Sequence, residues 1–453
     1  MIVMAAPIAA RPWLAIAVFL AAFLTLVGAL ILLSRLRAPH PEVTRKLLHT
    51  GSGLLALLFP FLFSEFWPVL LLTTGSALLI GALKLVPSAR RHSGRMVDGV
   101  NRMTWGEIYF PISVAVVFWL SLGQSPLLFC VPILVLTLAD ATGAIIGLRY
   151  GTIHYTGAAK SLEGSVAFVV VAFFCVHVPL LLWSSVGRAE SLLISVTLAL
   201  IVMLLEGSAW RGLDNLFIPI GGFYLLRAFL PMDSADLLPR LLVTLALLAV
   251  VFLARHSTTL VDDSLLAGAF LCYVTWALAG WHWLVPPAML FVAYAWISPR
   301  TPDNSQRVHR VGVILSVWAP AMTWLAISRM ADVPSLVYSF ALVFACHLGI
   351  FGFSRLAHDY RQRGLGSLAA EAIAKSWAFV LIPYVIVEGA SGRNLVLAAL
   401  GGLSIACAVG AFVAGETHMR DAPLARTRWL RQGLSAAAGS ALGWVMLAVV
   451  SSL

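Results

Sequence analysis

Charged residues are scarce in this sequence. Asp, Glu, Lys and Arg make up 11% of its 453 residues, whereas hydrophobic residues make up 60%. A soluble domain carries about 25% charged residues. The composition therefore excludes an ordinary soluble globular protein and indicates a chain that crosses a membrane many times.

Recognisable metal and phosphate-loop motifs are also missing. The five cysteines stand singly in apolar stretches, which is typical of packing residues and not of disulfides or metal ligands: Cys130, Cys175, Cys272, Cys346 and Cys407. The sequence has no H-E-x-x-H and no G-x-x-x-x-G-K-[ST]. Residues 157–161 match only the end of the second motif, with Ala159 where a glycine should precede Lys160.

Basic residues exceed acidic ones, and the formal net charge is +10. In a soluble protein such an excess would suggest nucleic-acid binding. In a membrane protein it indicates basic cytoplasmic loops and contact with anionic lipids. We therefore expect membrane lipids, and no nucleic acid, among the partners.

Long apolar runs dominate the sequence and have the length of membrane-crossing helices. They lack the two-residue alternation of barrel strands, and only helices or closed barrels satisfy their backbone in lipid. We predict an all-α, polytopic transmembrane helical bundle of roughly 16 spans. The runs lie near residues 13–34, 47–64, 66–86, 108–123, 125–147, 165–184, 189–206, 214–231, 238–254, 265–280, 282–298, 311–328, 334–352, 371–389, 394–414 and 433–451.

The loop charges predict an orientation. If the N-terminus lies outside and the spans alternate, most of the 30 lysines and arginines fall in inner loops, as cytoplasmic loops require. The inner loops before residue 261 mix acids, amides and bases, and the later ones are mainly basic. We therefore predict a membrane domain over residues 1–260, which contains the mixed polar loops, and an additional helical region of unknown role over 261–453.

Two basic or acidic clusters precede early helices. Arg45, Lys46 and His49 are spaced to share one helix face, either as a cytoplasmic anchor or as a grip for phosphate. Glu107 lies at the start of the helix predicted from the apolar run 108–123, where the helix dipole favours an acid. An acid facing a phosphate site would instead bind a metal or orient a base.

The segment from Asp140 to Gly164 is the most unusual part of the chain. Asp140 ends an apolar run, and a carboxylate near the membrane interior is costly and usually functional. Gly143, Gly147 and Gly151 follow at four-residue intervals, which favours close helix packing. Lys160 and Glu163 come next, and they could simply pair with each other on a solvated loop.

A fourth cluster separates two apolar runs and contains Glu206, Arg211, Asp214 and Asn215. A helix end, a glycine turn and a new N-cap would explain part of it. The inner side of the first half thus collects acids, bases and glycine-rich loops. Phosphoryl or nucleotidyl transfer needs this combination, because carboxylates hold Mg2+, cations neutralise charge, and glycine lets backbone N–H groups approach phosphate.

These motifs, in order, resemble the phytol kinase and dolichol kinase group, and more distantly the phosphatidate cytidylyltransferases. The resemblance covers about residues 42 to 222 and rests on five motifs: Arg45–His49, Thr104–Glu107 with Pro111, Asp140–Ala144 with Gly147 and Gly151, Lys160–Ser165, and Gly212–Asn215 with Pro219. Ala139 departs from the pattern, which has a glycine before the acid. Residues 262–298 look like the end of related bacterial membrane proteins, and nothing from about residue 311 onward is recognised.

The resemblance implies a CTP-dependent kinase of a long isoprenoid or other lipid alcohol, with Mg2+ as cofactor. It implies an integral protein of the bacterial inner membrane with its active site facing the cytoplasm. Asp140, Lys160 and Asp214 are the expected catalytic residues, and Asp140, Asp214 and Glu107 the expected metal ligands. The expected donor-binding residues are Arg45, Lys46, His49, Ser161, Glu163, Gly164 and Asn215.

Two other functions fit the sequence. A cytidylyltransferase acting on a lipid phosphate would use similar groups and attack a different phosphorus of CTP. A lipid transporter, flippase or non-catalytic scaffold would suit the many helices, although intramembrane acids in pumps usually lie in mid-span and these lie at span ends. The sequence makes no prediction about the lipid acceptor or the oligomeric state.

Overall fold

A computed structural model describes residues 11–37, 41–85, 105–156, 160–255, 257–297, 311–415 and 426–452. The described part is built from helices and contains no β-strand, apart from one isolated antiparallel bridge between His154 and Ser161. The predicted all-α class is confirmed for these residues. Thr104, residues 157–159 and the loops 298–310 and 416–425 lie outside them.

The helices follow the apolar runs closely. In chain order they are α1 (Pro12–Arg37), α2 (Pro41–Ala56), α3 (Phe59–Leu62), α4 (Phe66–Leu85), α5 (Gly106–Ser121), α6 (Leu127–Leu134), α7 (Asp140–Tyr150), α8 (Leu162–Trp183), α9 (Arg188–Ser208), α10 (Asp214–Phe229), α11 (Ser234–Ala254), α12 (Asp262–Ala279), α13 (Val285–Ile297), α14 (Val311–Ala331), α15 (Val337–Asp359), α16 (Leu365–Glu388), α17 (Gly392–Ala414) and α18 (Arg426–Ser452). A π-helical turn, Val135–Ala139, joins α6 to α7 without a break.

The predicted number of roughly 16 spans is not confirmed. Among the described residues, ten helices are long and apolar enough to cross a membrane: Pro12–Arg37, Leu127–Tyr150, Leu162–Trp183, Arg188–Ser208, Ser234–Ala254, Val311–Ala331, Pro334–Asp359, Leu365–Glu388, Gly392–Ala414 and Arg428–Ser452. Several other apolar runs form shorter helices, such as α5 with 16 residues and α13 with 13. Which side the N-terminus faces stays a prediction.

The chain packs as two compact units, Met1–Leu245 and Ala246–Leu453. In the first unit, α8 packs against α7 and α9, and α10 packs against α5, α6 and α9. This arrangement brings the start of α5, the start of α7, the loop before α8 and the turn before α10 into one unit. The functional boundary near residue 261 stays a prediction.

The second unit is organised around α15. In the most apolar 18-residue stretch of the span Pro334–Asp359, 89% of the residues are buried. Phe340, Phe344 and Phe353 on this span are fully enclosed by neighbouring helices. The Tyr338 hydroxyl donates to the Leu397 carbonyl at 2.7 Å. Burial on all sides explains why this helix is hydrophobic all round, as the core of a large helical unit must be.

Candidate functional site

A buried ion pair joins α2 to α7. Lys46 Nζ donates to Asp140 Oδ2 at 2.7 Å, and the exposed fractions of the two side chains are 8% and 7%. Removing two charges from water is costly, so they are tolerated only in direct contact. The first and third sequence clusters, which are 94 residues apart in sequence, therefore meet at Asp140.

The π-helical turn fixes where Asp140 lies on its helix. It ends at Ala139, immediately before the acid. A π turn adds a residue to the helical repeat and is frequent at functional sites. Helix α2 packs closely on this turn, since a Cβ atom on Gly53 would collide with the Thr137 side chain.

His49 lies one helical turn beyond Lys46 on the same face, as its spacing predicts. Its Nε2 is 3.9 Å from Asp140 Oδ2, and its ring centroid is 4.7 Å from that of Phe110 on α5. Within the described part of the chain, Nε2 is buried and lacks a hydrogen-bond partner. A buried polar atom of this kind calls for an explanation, and a bound polar ligand would supply one.

Lys160 forms a second ion pair. Its Nζ lies 2.8 Å from Glu206 Oε1 and also donates to the Glu206 backbone carbonyl. The reading in which Lys160 pairs with Glu163 is wrong. Glu163 instead accepts hydrogen bonds from the backbone N–H groups of Thr152 at 2.9 Å and Ile153 at 3.1 Å, which the sequence did not suggest.

Three carboxylates act on the ammonium group of Lys160. Burial lowers the pKa of its ammonium group, but the carboxylates of Glu206, Asp214 and Asp140 outweigh burial and raise it. Lys160 therefore stays protonated at neutral pH. Asp140 and Asp214, predicted from separate motifs, both lie close enough to act on this one cation.

The turn before α10 positions Asp214 and Asn215. Arg211 and Gly212 have positive φ angles of 56° and 88°, and Asp214 Oδ1 accepts the N–H of Asn215 at 3.1 Å. The Asn215 side chain is buried, and its Oδ1 has no hydrogen-bond partner among the residues that the structure describes. This amide oxygen is a second buried polar atom available to a ligand.

This turn is in close backbone contact with the start of α5. Trp105 N donates to Arg211 O at 3.3 Å, and a Cβ on Gly106 would lie 2.6 Å from Asn215 Nδ2. The second and fourth sequence clusters are therefore adjacent. Glu107, the next residue, lies 3.6 Å from Arg45 Nη1 in a partly exposed ion pair.

We predict that Gly212→Ala destabilises the protein strongly. A Cβ there would lie 2.5 Å from Gly106 N and Cα, and the positive φ disfavours any L side chain. The strain alone costs about 1–3 kcal/mol. Thermal unfolding in detergent should show a clear drop in melting temperature. Gly75→Ala in α4, where no atom lies within 4 Å of the new Cβ, is the matched control. An unchanged melting temperature for Gly212→Ala would contradict the prediction.

Ser161 and Gly164 take part in helix packing. Ser161 is the N-cap of α8, and its hydroxyl accepts the Gly164 N–H at 3.2 Å. Gly164 packs against Gly143 and Gly147, so the predicted glycine stripe does mediate a close crossing between α7 and α8. In this structure both residues hold α7, which carries Asp140, against the start of α8, two residues after Lys160. A part in donor binding stays a prediction.

No three His, Cys, Asp or Glu side chains are gathered closely enough to hold a metal ion, as far as the described ranges extend. Mg2+, however, is commonly held by one or two carboxylates together with water and substrate phosphates. Asp140 and Asp214, which act on the same ammonium group, fit that smaller requirement. Glu107 is engaged with Arg45 and is the weaker candidate.

Sequence reasoning overlooked one member of the site. Glu206 was noted among the acids of the inner face, but its role as the partner of Lys160 was not predicted. The available signal was its position: an acid near the end of an otherwise apolar helix, followed at once by Gly207. The four clusters are thus linked: Asp140 contacts Lys46 and acts on Lys160, Lys160 pairs with Glu206, and Glu107 pairs with Arg45.

Comparison with known proteins gives one informative match. The chain is 32% identical over 226 residues to a phytol kinase from Synechocystis sp. (strain ATCC 27184 / PCC 6803 / Kazusa). The match covers 48% of this chain and 91% of that protein. No protein-family model and no solved structure matches the chain.

Proposed function

Because the chain belongs to the phytol kinase family, we propose that it transfers the terminal phosphoryl group of CTP to the hydroxyl of an isoprenoid alcohol. The observation that carries this proposal is the convergence of Asp140, Glu206 and Asp214 around Lys160, with Lys46 paired to Asp140. Cations beside carboxylates at the ends of apolar helices are what a triphosphate and a lipid hydroxyl require together.

Phosphoryl transfer depends mainly on positioning and on neutralising charge. In our proposal the alcohol oxygen bonds to the γ-phosphorus, and the bond from that phosphorus to the bridging oxygen breaks to release CDP. The hydroxyl proton passes to Asp140 Oδ1, while Oδ2 stays on Lys46. Lys160 would bind the phosphates. Arg45 and His49, which lie on α2 beside Lys46, would bind them as well.

The other assigned residues would bind or orient the donor. The Asn215 amide oxygen would accept a hydrogen bond from the nucleotide or from the alcohol, which would satisfy a buried atom that otherwise lacks a partner. In this assignment Asp214, with Glu107 at the periphery, would hold Mg2+, because Asp140 Oδ1 receives the proton and Oδ2 stays on Lys46. When bound, that ion would neutralise negative charge on the phosphates. The basic inner loops support a cytoplasmic site.

Labelled CTP tests this function directly. Purified protein in lipid nanodiscs is incubated with phytol, other prenols or diacylglycerol and with CTP labelled at the α or the γ position; unlabelled ATP, GTP and UTP serve as competitors. We expect γ label in a prenyl phosphate and none from the α position. Transfer of α label would establish cytidylyl transfer instead. Lipid movement without CTP turnover would favour a transporter and overturn the kinase proposal.

A further inference from the structure

An apolar groove of about 500 Å³ lies between α4 and α5 in the first unit. Residues at regular helical spacing form its walls, among them Phe66, Ala77 and Leu78 on α4 and Ile108, Ala115 and Trp119 on α5. Its volume is within the range of sites that enclose a small organic ligand. Leu78 and Trp119 in its lining are 69% and 58% exposed, so the groove is accessible from outside, as a site filled from the bilayer would be.

The two helices run antiparallel along the groove. Gly81, near the end of α4, faces Ile108 at the start of α5, since a Cβ on Gly81 would lie 3.9 Å from Ile108 Cδ1. Phe66 and Trp119 therefore line the opposite end. The eleven-residue step from Ile108 to Trp119 corresponds to a length of about 16 Å. This shape suits an extended hydrocarbon chain.

Small side chains keep the groove open. Ala77 and Ala115 line it at positions where a larger apolar residue would fill it. The two threonines Thr73 and Thr74 also line it among nine apolar or aromatic residues, and the Thr73 hydroxyl donates to the Val69 carbonyl at 2.7 Å. Because the Thr73 hydroxyl is already hydrogen-bonded within its own helix, it does not need a polar group from a ligand. The walls therefore favour an apolar occupant.

One end of the groove meets the candidate site. Ile108 follows Glu107, whose carboxylate pairs with Arg45, and Gly106 lies against Asn215. On the same first turns of α5, the Phe110 ring contacts His49. An alcohol whose tail lies in the groove would thus carry its hydroxyl to the end where the polar side chains begin.

We propose that this groove binds the hydrocarbon tail of the alcohol substrate and selects for its length. The inference rests on the proposed kinase function, because it is the phosphorylated hydroxyl that places the tail there. Continuity with the polar site favours the substrate tail over a bilayer phospholipid, whose headgroup would have to occupy the donor site. Ala77 and Ala115 are then specificity-determining residues.

Filling the groove tests the inference. Ala77→Trp and Ala115→Trp should lower kcat/KM for phytol relative to geraniol by at least about tenfold, because pocket contacts with even one carbon discriminate by that much. Ala77→Leu and Ala115→Leu should give smaller decreases in the same ratio. Leu79→Trp, at a position on α4 that is 59% exposed and outside the groove, should leave the ratio unchanged.

The outcomes separate the two proposals. If the wild-type protein phosphorylates neither alcohol, the kinase function fails. If it phosphorylates both, but the groove variants keep the wild-type phytol-to-geraniol ratio, then the groove holds only bilayer lipid and the inference fails. A loss equal for both alcohols in the Trp and the Leu variants would likewise overturn tail selection.

Discussion

Asp140→Asn is expected to lower phosphoryl transfer by about 10²–10⁴-fold, the range that a positioned proton acceptor contributes. The amide keeps the shape of the carboxylate but can no longer accept the proton of the alcohol. It also leaves the buried Lys46 ammonium facing a neutral group, where its hydrogen bond to Oδ2 is 2.7 Å in the native protein. Transfer of γ label from CTP to phytol measures the loss.

Removing one partner of a buried ion pair costs about 3–5 kcal/mol of stability, so misfolding must be separated from lost chemistry. The double variant Lys46→Met with Asp140→Leu replaces both charges by apolar groups of similar size, a change that is often neutral or stabilising. We expect the double variant to regain the wild-type melting temperature in detergent but not the activity. Full transfer by Asp140→Asn would refute the assignment of Asp140.

Lys160→Ala is expected to reduce kcat/KM for CTP by about 10²–10³-fold, which is typical for the loss of one group that stabilises developing charge. The pKa of Lys160 is raised by Glu206, Asp214 and Asp140 against the opposing effect of burial, so it carries a full positive charge when CTP arrives. Lys160→Arg should recover part of the activity, because it retains the charge with a different geometry.

The second unit offers a matched control for Lys160. Lys375 Nζ contacts Glu371 Oε1 at 2.6 Å, and the Lys375 side chain is 63% exposed. Exposed ion pairs contribute at most about 1 kcal/mol, so Lys375→Ala should change neither the melting temperature nor kcat/KM appreciably. If Lys160→Ala, like Lys375→Ala, left kcat/KM unchanged, the assignment of Lys160 to phosphoryl transfer would be refuted. Steady-state rates over a range of CTP concentrations would then show no change.

The helices of this protein could be predicted with good accuracy from the sequence. Apolar runs such as 165–184 and 189–206 became α8 and α9 with ends displaced by only a few residues. The number of spans could not be predicted in the same way. A short helix such as α5 is apolar, but its length of 16 residues on the folded chain decides whether it can cross a bilayer alone.

The site was predicted as a set of residues but not as a set of contacts. Lys160 and Glu163 are near in sequence and were expected as one possible pair, yet Lys160 binds Glu206, 46 residues away. The N-cap at Ser161 starts α8 at Leu162 and leaves Glu163 beside the backbone of Thr152 and Ile153. Local sequence spacing cannot reveal which of several acids a flexible lysine will meet.

The sequence by itself determined the all-helical class, the membrane environment and the identity of the charged residues, because apolar length and residue type act locally. Only the tertiary structure decided that Lys46 neutralises Asp140 and that Gly106, at the start of α5, contacts Gly212 in the turn before α10. It also decided that an apolar groove begins at Ile108, next to Glu107. These features depend on contacts between helices that are far apart along the chain. Such contacts are set by packing and by the need to pair buried charge, neither of which local sequence records.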